Sequence, residues 1–424
     1  MKFANLPLGT ALRLMLPFGF GFYLSMFTRT LSNIVKQPIQ AELGMGEEAI
    51  GLALGTAFFL AFALAQLPVG ILIDRYDPRR VNALLFVLAA LGAVVIGMAQ
   101  TPELLAIGRV MMGVGFAAGL MASLKVYSLW FDTQRLATLN SLQFMIGVLG
   151  AWSATKPVEL LLRVLDWREL YFLFAAITVL AALLMVLMAP RHDGEGGQET
   201  LQEQLGGLRT IFCDGYFWRV SPLMFISMGI SQGLGTLYVF SWLTGVAQQD
   251  TATAATSISV VTLVSAANFA LLGPLAERLI NRGYSPMLLP LLGQMLAMAL
   301  LSLLAVQVLI GAVPQWVLYT MAAGTTTLVF VALSRAFPAA MIGRAYTAFN
   351  LLSFLTAALV QWLVGFMLDW LTPAGSNGVA PEAWRWAFLL LVLCQLLGLI
   401  WYLMARKLGI GATTMLEKTT NQAA

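Results

Sequence analysis

The sequence predicts an all-α integral membrane protein whose twelve transmembrane helices form two pseudo-symmetric six-helix bundles. Composition is the first ground. Hydrophobic residues make up 59% of the 424-residue chain and charged residues 10%, against about 25% charge in a soluble domain. So apolar a chain has no aqueous fold in which to hide its surface, and the bilayer must serve as its solvent. The second ground is the rhythm of apolar runs, each close to the roughly 20 residues a helix needs to cross the hydrocarbon. The third is an internal echo between the two halves.

In chain order, runs near 10–34, 48–72, 81–99, 104–126, 138–158 and 169–189 form a first set of six. A polar stretch follows, and runs near 217–245, 253–273, 286–308, 316–337, 345–370 and 384–405 form the second. The expected organisation is a bundle over 1–189, a cytoplasmic linker over 190–216, a second bundle over 217–406 and a cytoplasmic tail over 407–424. The linker opens on Arg191-His192-Asp-Gly-Glu-Gly-Gly and continues into a piece with a weak apolar stripe of Leu201, Leu205 and Leu208. It reads as a flexible connection, with an interfacial helix as the alternative. No signal-peptide cleavage site is expected at the N-terminus.

The echo sits at the ends of the second and eighth runs. Gly70-Ile-Leu-Ile-Asp74-Arg75-Tyr-Asp-Pro-Arg79-Arg80 is matched by Gly273-Pro-Leu-Ala-Glu277-Arg278-Leu-Ile-Asn-Arg282. Trp167-Arg168 at the sixth run is matched by Trp384-Arg385 at the twelfth. Arg135, Thr138 and Asn140 are matched by Arg344, Thr347 and Asn350. Orientation follows from basic loop residues. One side collects Lys2, Arg75, Arg79, Arg80, Arg135, Arg191, Arg209, Arg219, Arg278, Arg282, Arg344, Arg406, Lys407 and Lys418, against Lys36, Arg163, Arg168 and Arg385. By the positive-inside rule the first side, with both termini, is cytoplasmic, in a bacterial-type inner membrane.

On these residues the chain resembles the major facilitator superfamily. The turn after the second run is similar to that family's Gly-x-x-x-Asp-Arg-x-Gly-x-Arg-Arg, carried by Gly70, Asp74, Arg75, Arg79 and Arg80, with Asp77 where the family has a second glycine. Arg109, Gly113 and Gly115 resemble the Arg-x-x-x-Gly-x-Gly of its fourth span. The resemblance covers essentially the whole chain. It implies a central cavity and alternating access by rocking of the halves, with Glu277 and Arg278 as the second copy of the gate. A carboxylate at Asp74 can also cap a neighbouring helix N-terminus, while the arginines reach carboxylates or lipid phosphates or merely anchor topology.

Charges inside a membrane are costly and default to functional candidates. Here they are positive: Arg29, Arg109 and Lys156 lie in apolar runs, whereas Asp74, Glu159, Glu277 and Asp369 all lie near run ends. A cavity of fixed positive charge attracts an anion, so a small organic anion, a carboxylate, is the expected solute. Ser25, Arg29, Ser32 and Asn33 share one helical face, which places Arg29 either at the solute or in a structural pair or snorkel. Lys156 precedes Pro157 and stands three residues before Glu159, so a local pair is its alternative. In the second half Ser227, Ser231, Gln232, Tyr238, Trp242, Asn350 and Gln361 offer hydrogen bonds and aromatic cover, or else interhelical glue.

Other classes are weaker. Phosphate exchange would want a second Arg in the seventh run, which has only Arg219 at its edge. Proton-coupled drug efflux remains the alternative, although Gly147-Val-Leu-Gly150 followed by Pro157 is not the motif of such antiporters. Met224 and Met228 could hold copper(I) only with soft partners, and packing explains them better. A non-transporting sensor would need a further domain. Cys213, Cys394 and His192 give no metal or catalytic spacing, so neither an enzyme, a resident cofactor nor a nucleic-acid partner is expected. A monomer in the lipid bilayer is expected, with or without a coupling ion, for which end-placed Asp369 is one candidate.

Overall fold

The computed structural model describes residues 8–131, 133–190, 201–307, 311–373, 375–376 and 378–415, without the side chains of 8, 74, 133–138, 140–141, 201–205, 270 and 339–340. The described residues fold as helices. In the first half these are α1 (Leu8–Leu43), α2 (Glu47–Ile50), α3 (Ala57–Arg75), α4 (Pro78–Gly97), α5 (Pro102–Phe116), α6 (Gly119–Trp130), α7 (Thr133–Ser153), α8 (Lys156–Leu161) and α9 (Trp167–Met188). A π-helical segment, Gly51–Thr56, joins α2 to α3. The segment between the halves holds α10 (Leu201–Phe212), and the second half holds α11 (Gly215–Leu237), α12 (Val239–Gly245), α13 (Thr251–Asn281), α14 (Leu288–Ala305), α15 (Ala312–Gly324), α16 (Val329–Ala336), α17 (Ala339–Leu371) and α18 (Pro381–Lys407), with a 3-10 segment, Thr325–Leu328, between α15 and α16.

Eleven helical runs are long and apolar enough to cross a membrane, and the 21-residue α7 stands where the sequence places the fifth span. The chain therefore crosses back and forth between two ends. One carries the Asp74–Arg80 turn, the start of α1 and the end of α18, and is called here the linker end. The other, the far end, carries residues 36–56, 154–168, 238–252 and 361–385.

The helices begin and stop for local reasons. Asp166 N-caps α9 in a capping box with Glu169, and Asp214 and Asp250 accept from the first turns of α11 and α13. Each satisfies amides the helix itself leaves unpaired. Asp77 caps α4 through the Arg79 amide at 3.0 Å, which explains an acid where the resembled motif has glycine. Expected span boundaries shift where helices break: the fifth ends at Ser153 with α8 separate, and the seventh breaks at Tyr238. The linker also holds α10, whose Leu208 and Ile211 are buried among Phe217, Val329 and Phe349 of the second half, not laid on a lipid surface.

Candidate functional site

One face of α1 carries Ser25, Arg29, Ser32, Asn33 and Lys36, all buried. Toward the far end every one of these groups is partnered. The Lys36 ammonium is 0% exposed and donates to Glu47 and, at 3.1 Å, to Ser241 Oγ of the second half. It also lies 4.4 Å from the centre of the Tyr238 ring. Asn33 donates to the Gly235 carbonyl and accepts from the Phe240 amide, and Ser32 Oγ accepts from Arg109 at 2.9 Å.

Arg29 differs. It is 7% exposed, its Nε finds no acceptor, and among the described residues its guanidinium makes neither hydrogen bond nor ion pair. It stacks instead between two rings, 4.3 Å from the centre of Phe62 in the first half and 5.3 Å from that of Phe354 in the second. Those rings meet edge to face at 4.8 Å. Cation–π contact contributes about 2 kcal/mol when desolvated, whereas burying an ion costs several kcal/mol. Phe62 and Phe354 therefore position the charge without compensating it. Ser25, one turn away, also has a buried hydroxyl without a partner.

Helix register extends this layer. Parallel helices α1 and α11, tied at Asn33 and Gly235, bring residue 29 to the level of residue 231. Ser231 and Gln232 are half-buried there, and the Gln232 side-chain amide nitrogen is buried without an acceptor. Span two and α17 run antiparallel in constant register: Glu47 meets Asp369, Gly55 meets Gln361 eight residues on, and Phe62 meets Phe354 seven further. A Cβ at Gly55 would overlap Gln361 Oε1, so the glycine is what permits this approach.

The other predicted residues are placed elsewhere. Arg109 is 1% exposed and bound within the first half, to the Leu54 carbonyl at 2.7 Å and to Thr28 and Ser32, over the Phe58 ring. Lys156 lies at the far end, with Glu159 at 2.6 Å and the Ala252 carbonyl at 3.2 Å. Tyr238 donates to the Gln361 carbonyl, Trp242 packs on Trp316, and Gln361 donates to Thr236 at 3.0 Å. These side chains are committed to packing, and the structure does not bring them to Arg29. Asn350 lies on α17 one turn from Phe354, half-buried.

In the turn motif, Arg79 folds back onto its own half, bonding Asp77 at 3.2 Å and the Val186 and Ala189 carbonyls at the end of α9. A cation there suits the negative pole of that helix. Arg75, Arg80, Glu277 and Arg278 are exposed, and nothing approaches a Cβ built at Gly70. The Asp74 side chain lies outside the described residues.

Sequence reasoning missed the far-end seal. Asp369 of α17 accepts the Glu47 amide at 2.8 Å and the Glu48 amide at 2.7 Å, capping the second span from the opposite half. Trp362 donates to Glu48, Gln37 to Thr244, Thr56 to the Ala358 carbonyl, and Thr155 pairs with Ser259. All these inter-half bonds lie between the far end and the level of Thr56. At the same end Glu159 is raised by desolvation, but the hydrogen bonds and charges of Lys156 and Arg163 more than reverse this and hold it below the usual carboxylate range.

Helices long and apolar enough to cross a membrane stand in two halves, with a charged layer buried on the seam between them. The chain belongs to the Major Facilitator Superfamily, whose sequence profile matches residues 18–361. It is 25% identical over 164 residues to a probable L-galactonate transporter of Escherichia coli K12, covering 39% of this chain and 36% of that protein. It is 21% identical over 183 residues to the probable sulfoacetate transporter SauU of Cupriavidus necator, covering 43% and 42%. The matches thus span less than half of those relatives. Among solved structures, the inward-facing, unoccupied bacterial homolog of the human lysosomal transporter Spinster shares the fold at TM-score 0.78 and 17% identity, over 95% of this chain and 98% of that one. A D-xylose–proton symporter does so at 0.69 and 15%, over 91% and 97%.

Proposed function

We propose that the protein is a secondary transporter of a small organic anion, a carboxylate, working by alternating access. The observation that carries this reading is Arg29: a buried cation without a counter-ion among the described residues, between rings from both halves. A ligand carboxylate supplies the missing acceptor, and a bidentate pair with guanidinium is among the stronger polar contacts available. The L-galactonate and sulfoacetate carriers named above are, by those names, proteins for small organic anions, which agrees with this choice of solute.

In this reading the bundles 1–189 and 217–406 rock about the seam, with 190–216 as a cytoplasmic tether. The basic linker end is cytoplasmic and the far end faces outward. The bonds around Asp369 and Lys36 then seal the outer side and must break for the site to open there. A thermal-shift screen of carboxylates on the purified protein tests this, since specific binding raises stability by mass action. At least one carboxylate should stabilise the wild type and fail to stabilise Arg29→Gln. Equal stabilisation of both proteins rejects Arg29 as the anion site.

A further inference from the structure

The register of span two against α17 continues past the aromatic pair. Four residues beyond Phe62 stands Gln66, and four residues before Phe354 stands Asn350. Each shares its helix face with the ring that touches Arg29. At 1.5 Å per residue both lie about 6 Å nearer the linker end than that layer. Gln66 is 7% exposed and Asn350 half-buried. Neither amide makes a hydrogen bond among the described residues, to the other or to anything else. Both amide groups keep some access to the space around them. Two open amides, one from each half, thus flank the linker-end side of the only layer where a buried Arg lacks a partner among the described residues.

An amide both donates and accepts, so hydroxyls satisfy both of its groups, whereas a second carboxylate or a sulfonate satisfies only its N–H donors and an alkyl chain neither. We propose that Gln66 and Asn350 are specificity-determining residues that select a hydroxylated carboxylate, the hydroxyls bridging the two halves while Arg29 holds the carboxyl group. This rests on the Arg29 reading and adds the substrate class. A ligand lacking hydroxyls leaves two buried amides unpaired when the halves close on it, and unpaired buried groups are what give hydrogen-bonding sites their discrimination.

The test compares gluconate with hexanoate, six-carbon monocarboxylates that differ in their hydroxyls, by calorimetric binding to the detergent-purified full chain. Wild type should prefer gluconate. Gln66→Leu and Asn350→Leu should each weaken gluconate about tenfold, as expected for one lost hydrogen bond, and leave hexanoate unchanged or tighter. Retained hexanoate binding shows that the variants fold and that Arg29 still works. Arg29→Gln should weaken both acids together. A gluconate-to-hexanoate ratio unaltered by Gln66→Leu and Asn350→Leu, or no gluconate preference in wild type, overturns the amide assignment. Undiminished binding of both acids to Arg29→Gln instead overturns the anion site itself.

Discussion

Arg29 and Lys36 are seven residues apart on the same face of one helix, both cationic and both buried, and their surroundings are opposite. Lys36 has a carboxylate, a hydroxyl and an aromatic ring around it. Arg29 has two rings and, among the described residues, no acceptor. A buried charge whose counter-ion comes from the chain contributes to architecture, here by fastening the far end. A buried charge without one is a cost to the folded protein, and in the function proposed above the ligand offsets that cost. Equal burial therefore does not mean equal role; the partner list separates them.

The largest effect expected from breaking this contrast is in stability. Lys36→Met leaves Glu47 buried without its cation and should destabilise the ligand-free protein by about 3–5 kcal/mol, seen as a clear drop in Tm. Arg29→Met removes an uncompensated charge and should leave the ligand-free Tm unchanged or raised. Equal losses would erase the distinction. Next comes Gly55→Ala, whose added carbon would overlap Gln361 Oε1 and lie 3.0 Å from Leu237 Cδ2. Overpacking of this kind costs roughly 1–3 kcal/mol, and here it should fall on the closed seam, weakening transport more than expression.

Asp369→Asn is smaller. It keeps one acceptor and loses the charge at the α2 N-terminus, an effect of about 1 kcal/mol. That is a several-fold shift toward far-end opening. In a background lacking Cys213 and Cys394, a cysteine at the buried Ala254 should label correspondingly faster; an unchanged rate would remove Asp369 from the seal. The smallest effect concerns pH. Because Lys156 and Arg163 depress Glu159, its contribution is fully present above the ordinary glutamate range near pH 4.3 and is lost as pH falls through the lower folded value. The Glu159 share of far-end stability should thus be flat above about pH 5 and be lost only in stronger acid, so Glu159→Gln should make the acid decline shallower than in wild type.

How much of this is legible in the sequence varies with distance along the chain. The all-helical architecture and the two halves follow from apolar runs and the echoed turns, because span length and loop charge are local properties. Arg29 is legible because its face is polar at helical spacing. Its rings are not: Phe62 and Phe354 look like any other apolar residues until two antiparallel helices bring them together. Gln66 left a signal, as the one strongly polar side chain between Thr56 and Asp74, yet a single amide in an apolar run gives no direction to face. The Asp369 cap left none, since its partners are amides 322 and 321 residues away. Lys36 read as a far-side loop residue and is instead fully buried, because Glu47 turns back over it.

The central claim is that Arg29 lacks a partner because its partner is the cargo. Radiolabelled counterflow in proteoliposomes tests it most directly, using a carboxylate that stabilises the wild type and comparing wild type with Arg29→Gln. The account predicts exchange in wild type and background flux in a variant whose ligand-free Tm is at least as high. Wild-type flux through Arg29→Gln would contradict it.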